Sequence, residues 1–420
     1  LKKTRTEHYD RLETRSPKVR EAALMASLPK LIAHAKRRAP GFARIFERVK
    51  PGKVRSRAAL ATLPVTRKSD LVELQARQRP LGGLNAVPLA KLAKIFMSPG
   101  PIYEPEGRGK NWWRTARALY AGGFRAGDRV ANTFAYHFTP AGSMLESGAL
   151  ALGCTVVPAG TGQTELQVAA IRDLAISGYI GTPSFLRLIV EKADELKVDI
   201  SSLVKAHVGA EYLPPALRQA MLARGIRVAQ SYGSADLGSI AYESFAPGGS
   251  VSEGMILDEG VLLEIVRPGT GDPVAAGEVG EVVITTFNRD YPLVRFGTGD
   301  LSAVLPGASP CGRTNTRIRG WMGRADQSTK VRAMFVTPKQ VNDIVRRHPE
   351  ILKARLVVEG EAGDDRMTLK CEVGSRPEGL AAAIVASIRE LTKLRGEAQL
   401  LEPGALPNDG KVIEDARKYN

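Results

Sequence analysis

The chain has 420 residues, 43% of them hydrophobic, enough to bury a sizeable core and, by length, to divide into two or three domains. Lys and Arg outnumber Asp and Glu by 60 to 44, a formal charge of +16, yet the basic residues are spread along the chain with local clusters only at AKRRAP and RVKPGKVRSR, and no nucleic-acid-binding signature accompanies them. No run approaches the roughly 20 apolar residues of a membrane span, and Cys154, Cys311 and Cys371 have no paired spacing, which excludes a disulfide framework or a zinc cluster and favours a cytoplasmic location.

Residues 1–30 read as a charged amphipathic helix rather than a signal peptide. A strand-like KIFM (94–97) then runs into SPGPIYEPEG (98–107), where a strand–loop–helix enzyme holds a phosphate; Pro99 and Pro101 have no N–H to offer, and Glu104 adds negative charge. From about Asp128 short β-branched or apolar runs, RVANTFAY, CTVVPAG, SGYIGTPS, KAHVGAEY and RVAQSYGS, alternate with helical patterns such as AGSMLESGALALG and SFLRLIVEKADEL. That alternation predicts βα units on a parallel sheet, with ligands beyond the carboxyl ends of the strands.

Beyond Glu243 the texture becomes strands and turns, a β-rich lobe on the α/β core. Near GRADQS it changes again. Thr337, Pro338 and Gln340 make a helix start with a capping box, and two strands, a long helix and a final strand complete a small α+β domain. The division expected is 1–322 for the large domain and 323–420 for a small C-terminal one.

Four segments carry candidate chemistry. YGSAD sets Tyr232, a flat ring able to stack on a base, beside Gly233 and near Asp236, a hard ligand for magnesium, although a buried Tyr and a capping Asp have the same sequence appearance. FGTGDLSAV is expected to place Asp300 in a Gly-flanked turn between strands, where aspartate commonly satisfies local backbone donors. GRADQSTKVRAMF carries Arg324, Asp326, Lys330 and Arg332 at the domain boundary, either a hinge and phosphate clamp or a charged linker. Lys411, behind an Asn-Asp-Gly turn, reads by itself as a solvated charge.

The order of these segments resembles that of the adenylate-forming, AMP-binding superfamily and within it the phenylacetate-CoA ligase branch. EHYDRLETRSPKVREAALMASLPKLIAHAKRRAPGFARIF, LATLPVTRKSDL, YIGTPSFLRLI, GAEYLPPALR, YGSAD, LVRFGTGDLS, CGRTNTRIRGWMGRADQSTKVRAMFVTPKQV and PNDGK carry the likeness in order and spacing over nearly the whole chain. The resemblance implies a large AMP- and acid-binding domain with a mobile C-terminal lid. It also implies ATP-dependent activation of a small-molecule carboxylic acid to an acyl-adenylate and transfer to coenzyme A, with Mg2+ offsetting phosphate charge. It gives Lys411 the bridge between substrate carboxylate and α-phosphate and Asp236 the place of the magnesium-linked glutamate. Tyr232 would stack on adenine against Gly209, Ala210 and Glu211, Asp300 would take the ribose hydroxyls with help from Arg324, and Asp326 would be the hinge. Tyr136 and Phe138 would face an aromatic or apolar acid.

The chain also departs from that pattern. SPGPIYEPEG stands where a Ser/Thr- and Gly-rich phosphate loop is usual, which predicts weak pyrophosphate binding, with Lys110 or Arg108 as substitutes for the lost donors. Ala235, Ala333 and Asn408 replace a hydroxyl residue, a glycine and an arginine, and the Cys/His zinc site of some relatives has no counterpart in YESFAPGGSVSEGMILDEG, so no zinc is expected. Two further readings stay open: a nucleotide- or acyl-adenylate-binding descendant without adenylation, and adenylyl transfer to a non-CoA acceptor. No nucleic-acid or membrane partner is expected, and a homodimer is admitted.

Overall fold

The computed structural model describes residues 7–98, 101–325, 327, 329–332, 334–360, 364–407 and 412–417. The chain divides into two compact units, Leu1–Gly323 and Arg324–Asn420. No helix among the described residues is long and apolar enough to cross a membrane.

The larger unit is built on a nine-stranded sheet ordered Val304–Leu305, Arg317–Ile318, Met255–Leu257, Gly238–Tyr242, Arg227–Ser234, Lys205–Val208, Gly178–Gly181, Arg129–Asn132, Thr155–Val157. The last five are the apolar runs anticipated from the sequence, and they pair parallel. Helices Ala141–Leu152, Thr164–Asp173, Pro183–Glu195 and Pro215–Ala223 alternate with them, so the mixed α/β fold class follows the predicted pattern. Val168, Ile171, Leu186, Ile189 and Val190 on the helices pack with Ala206, Val208 and Val228 on the strands, which removes both surfaces from water together.

A second sheet, Thr66–Arg67, Phe296–Ser302, Gly280–Thr286, Val261–Val266, forms the β-rich lobe. Leu28, Ile32, Phe42 and Phe46 of the N-terminal helices cover it, packed with Leu262, Val282, Ile284 and Phe296. The first helix runs Pro17–Arg38 and not through residues 1–30. Ser16 accepts from the Val19 N–H and Pro17 sits in the first turn, so the start is set by a cap that the amphipathic pattern does not reveal.

In the smaller unit a four-stranded sheet, Glu397–Leu401, Arg366–Val373, Ile351–Glu359, Ile413–Asp415, carries the helices Pro338–Arg347 and Leu380–Thr392. Val341, Ile344, Ile384 and Ile388 from the helices share a core with Leu356, Val358, Leu369 and Cys371. The Thr337–Gln340 capping box is formed on both sides.

Candidate active site

The strand Arg227–Ser234 continues the parallel sheet on one edge and turns back into Gly238–Tyr242 on the other, so the three residues between them cap the carboxyl end of a central strand. Tyr232 lies at that end and Asp236 lies in the turn. The Tyr232 hydroxyl donates to Asp300 Oδ2 at 2.8 Å and lies 3.3 Å from the Thr298 hydroxyl. Two segments separated by more than sixty residues are thereby joined in one polar centre.

Asp300 is not in a turn between strands, as its flanking glycines predict, but within the strand Phe296–Ser302. Gly297 pairs with Val283 and Leu301 with Glu281, so Thr298, Gly299 and Asp300 stand opposite Val282 alone. This bulge, with Gly299 at φ +73°, re-aims the carboxylate out of the ladder. Its second oxygen accepts from the Trp321 indole N–H at 3.1 Å. Trp321 is 43% exposed, and the sequence reading missed it because nothing local distinguishes a site tryptophan from a surface one.

Gly209, Ala210 and Glu211 follow the strand Lys205–Val208, next to the one that carries Tyr232. Ala210 has φ +65°, a conformation held by its neighbours: the Gly209 N–H donates to the Gly181 carbonyl at 3.2 Å and the Gln230 amide to the Glu211 carbonyl at 2.9 Å. The Glu211 carboxylate accepts from the Ser184 N–H at the start of the helix Pro183–Glu195. Beneath, His207 Nε2 lies 2.9 Å from the Ser231 hydroxyl, and burial lowers its pKa to about 4, so the ring is neutral.

Of SPGPIYEPEG, the described residues Ser98 and Ile102–Glu106 lie in paired strands. Lys94–Ser98 and Ile102–Glu106 make an antiparallel hairpin whose last pair is Ser98 with Ile102. Two of its outward amides are occupied: the Met97 N–H donates to the Phe138 carbonyl at 2.8 Å and the Tyr103 N–H to the Gln75 side chain at 2.8 Å. Glu106 anchors the far end by accepting from the Trp113 indole and the Ser143 hydroxyl.

Glu104 is fully buried, and both the N–H and the hydroxyl of Ser98 donate to its carboxylate. Lys68, placed just after the strand Thr66–Arg67, reaches Asp236 Oδ2 at 2.5 Å and Glu104 Oε1 at 4.0 Å. Asp236 is 3% exposed, and its Oδ1 has no hydrogen-bond partner among the described residues, nor has the buried Tyr291 hydroxyl. Burial first, then the charge of Asp236, raises the Glu104 pKa to about 7 against the opposing pull of Lys68. The basic residue beside the acidic turn is therefore Lys68; Arg108 and Lys110 are exposed. A lysine in VTRKSD offers no sequence cue to a partner 168 residues away.

The Tyr136 hydroxyl accepts from the Asn132 amide at 2.8 Å, and burial followed by Glu146 raises its pKa. Phe138 has φ +61° and is 71% exposed, so it is not core. Arg324 opens the smaller unit. Asp326 and Lys411 lie outside the described residues, as do Pro99, Ala333 and Asn408. Among the described residues no group of three or more His, Cys, Asp or Glu side chains is placed to hold a metal.

Comparison with known proteins gives the family. The family model for AMP-binding enzymes matches residues 110–288. The phenylacetate-coenzyme A ligase of Thermus thermophilus is 33% identical over 435 residues, covering 93% of this chain and 95% of that protein. The enzyme of the same name from Aromatoleum evansii is 31% identical over 401 residues, covering 89% and 88%. Among solved structures, a 2-hydroxyisobutyryl-CoA ligase in complex with 2-HIB-AMP and CoA superposes with a TM-score of 0.83 at 21% identity, covering 100% of this chain and 94% of that one, a likeness of fold. An identity above three-tenths sustained along nearly the full length of both chains, together with the shared fold, means that the chain belongs to the phenylacetate-coenzyme A ligase family of adenylate-forming acid–thiol ligases.

Proposed function

We propose that this chain activates an aromatic or similarly apolar carboxylic acid as its acyl-adenylate and transfers the acyl group to coenzyme A. The observation that carries the nucleotide half of this reading is the contact of Tyr232 with Asp300 at the end of a central strand. The phenol holds the carboxylate in place, the bulge turns it outward, and a ribose hydroxyl can replace the Trp321 indole as donor to Asp300 Oδ1. Gly209, Ala210 and Glu211 form the neighbouring strand end, against which an adenine stacked on Tyr232 would rest. The exposed Phe138 ring and the half-buried Tyr136 supply apolar surface for the acid.

The reaction asks an anionic carboxylate to attack an anionic phosphate, so positive charge must gather at the reacting centre. In this reading Lys411 supplies it for the adenylation step, Arg324 assists at the ribose and Asp326 serves as the hinge. A magnesium ion, when bound, would neutralise phosphate charge, and the orphan Oδ1 of Asp236 is the oxygen available to it, the other being held by Lys68.

The test is pyrophosphate release with ATP, magnesium and a panel of aryl and alkyl acids, followed by thioester formation with coenzyme A. Acid-dependent release that disappears in Lys411→Ala supports the reading; release independent of acid, or unaffected by that substitution, removes it. A second reading, binding of AMP or an acyl-adenylate without adenylation, draws support from the hairpin strands, where the Met97 and Tyr103 amides are already bonded. Thermal stabilisation by AMP, with none by ATP and magnesium, would favour it.

A further inference from the structure

Two donors and a cation converge on the Glu104 carboxylate: the Ser98 backbone N–H at 3.2 Å and the Ser98 hydroxyl donate to it, and the Lys68 ammonium, bonded to Asp236, stands 4.0 Å away as an ion-pair partner. An amide, a hydroxyl and an ammonium are the set that commonly receives a phosphate oxygen. Here they surround an internal carboxylate with no exposed surface. Lys68 in turn is drawn to Asp236, whose Oδ1 stays buried without a partner, as does the Tyr291 hydroxyl, so the cluster retains polar capacity that the protein does not satisfy by itself. Burying an unsatisfied carboxylate oxygen and a phenol is costly; a phosphate oxygen can accept from the phenol, and a magnesium ion carried with the phosphate can engage the carboxylate oxygen.

We propose that Glu104 is a built-in phosphate surrogate: it takes the Ser98 and Lys68 donors that the β- and γ-phosphates of a nucleoside triphosphate would engage, and so makes the site discriminate between a nucleoside monophosphate and a polyphosphate. Resting on the nucleotide-binding reading above, this assigns a specificity role to Glu104 and Lys68, which act at the polyphosphate end, whereas Tyr232, Asp300 and Trp321 act at the ribose. A triphosphate reaches Lys68 by displacing Glu104. A monophosphate has no group in competition with it.

The experiment is calorimetric titration of the full chain with AMP, with ATP and with inorganic pyrophosphate, the last two with magnesium, in mildly alkaline buffer. Relative to wild type, Glu104→Ala is expected to tighten ATP and pyrophosphate by about tenfold, the scale of one charge-assisted hydrogen bond, and to leave AMP within about twofold. Adding Lys68→Ala to that variant is expected to abolish the gain. Glu104→Gln, which keeps shape and loses charge, is the substitute should the alanine variant fail to fold by circular dichroism, with a gain in the same direction. Unchanged affinity for ATP and pyrophosphate, or an equal shift for AMP, overturns the proposal while leaving the nucleotide site standing. Failure of every variant, wild type included, to bind AMP overturns both.

Discussion

Asp300 accepts from two aromatic donors, a phenol at 2.8 Å and an indole at 3.1 Å. A carboxylate held this way is pre-set for donors arriving from a ligand. Asp300→Asn, which keeps volume and removes charge, is expected to weaken AMP binding by about tenfold or more, checked by calorimetry, with the thermal midpoint little changed. His207 gives a prediction of another kind. Burial holds its pKa near 4, below the ordinary 6.5, so the unfolded chain takes up the proton first. The stability this neutral ring confers is complete above about pH 6.5 and is lost as pH falls toward about 4, on the order of 3 kcal/mol. His207→Gln, able to keep a bond to Ser231, is expected to show a shallower loss of urea midpoint over that interval; an unchanged slope would refute the assignment.

The element that places Asp236 is the tight return from Arg227–Ser234 to Gly238–Tyr242, and its geometry rests on Gly238. With φ at +74° and the Trp113 carbonyl oxygen 2.6 Å from where a Cβ would stand, the position admits glycine only. Gly238→Ala is expected to cost about 1–3 kcal/mol from the strained backbone, and more if the Trp113 carbonyl cannot retreat; urea unfolding measures it. Arg295 places the neighbouring strand and with it Lys68. Fully buried and paired with Glu264, it donates to the carbonyls of Ala61, Leu63 and Gly271, while its own carbonyl accepts from the Thr66 N–H. In the smaller unit Thr337 caps the helix Pro338–Arg347, and Thr337→Ala is expected to lower stability by about 1 kcal/mol.

Across the whole molecule all three thiols, Cys154, Cys311 and Cys371, are buried and none is in a disulfide. Burial raises the pKa of Cys154 to about 11 and of Cys371 to about 12, so few thiolates are available there. An aromatic disulfide reagent is expected to titrate Cys154 and Cys371 slowly in the native protein and rapidly in denaturant, read in a Cys311→Ser background because, against burial, hydrogen bonds to Cys311 lower its pKa; fast native reaction would contradict the two cores as described. The five parallel strands and the capping box at Thr337 were legible from sequence because each depends on residues near one another: apolar periodicity, turn chemistry and cap spacing are local properties. Tyr232, Asp236 and Asp300 were legible as candidates through the order of short motifs. Their association was not, because a bulge of two extra residues turned Asp300 out of its ladder and a lysine just after a two-residue strand crossed to Asp236. The hairpin's occupied amides, the burial of Glu104 and the indole on Asp300 likewise depend on which distant segments pack together. A sequence specifies what each segment prefers, whereas the partners of a buried charge are chosen by the packing of the whole chain, since only there is the cost of desolvating that charge incurred and met.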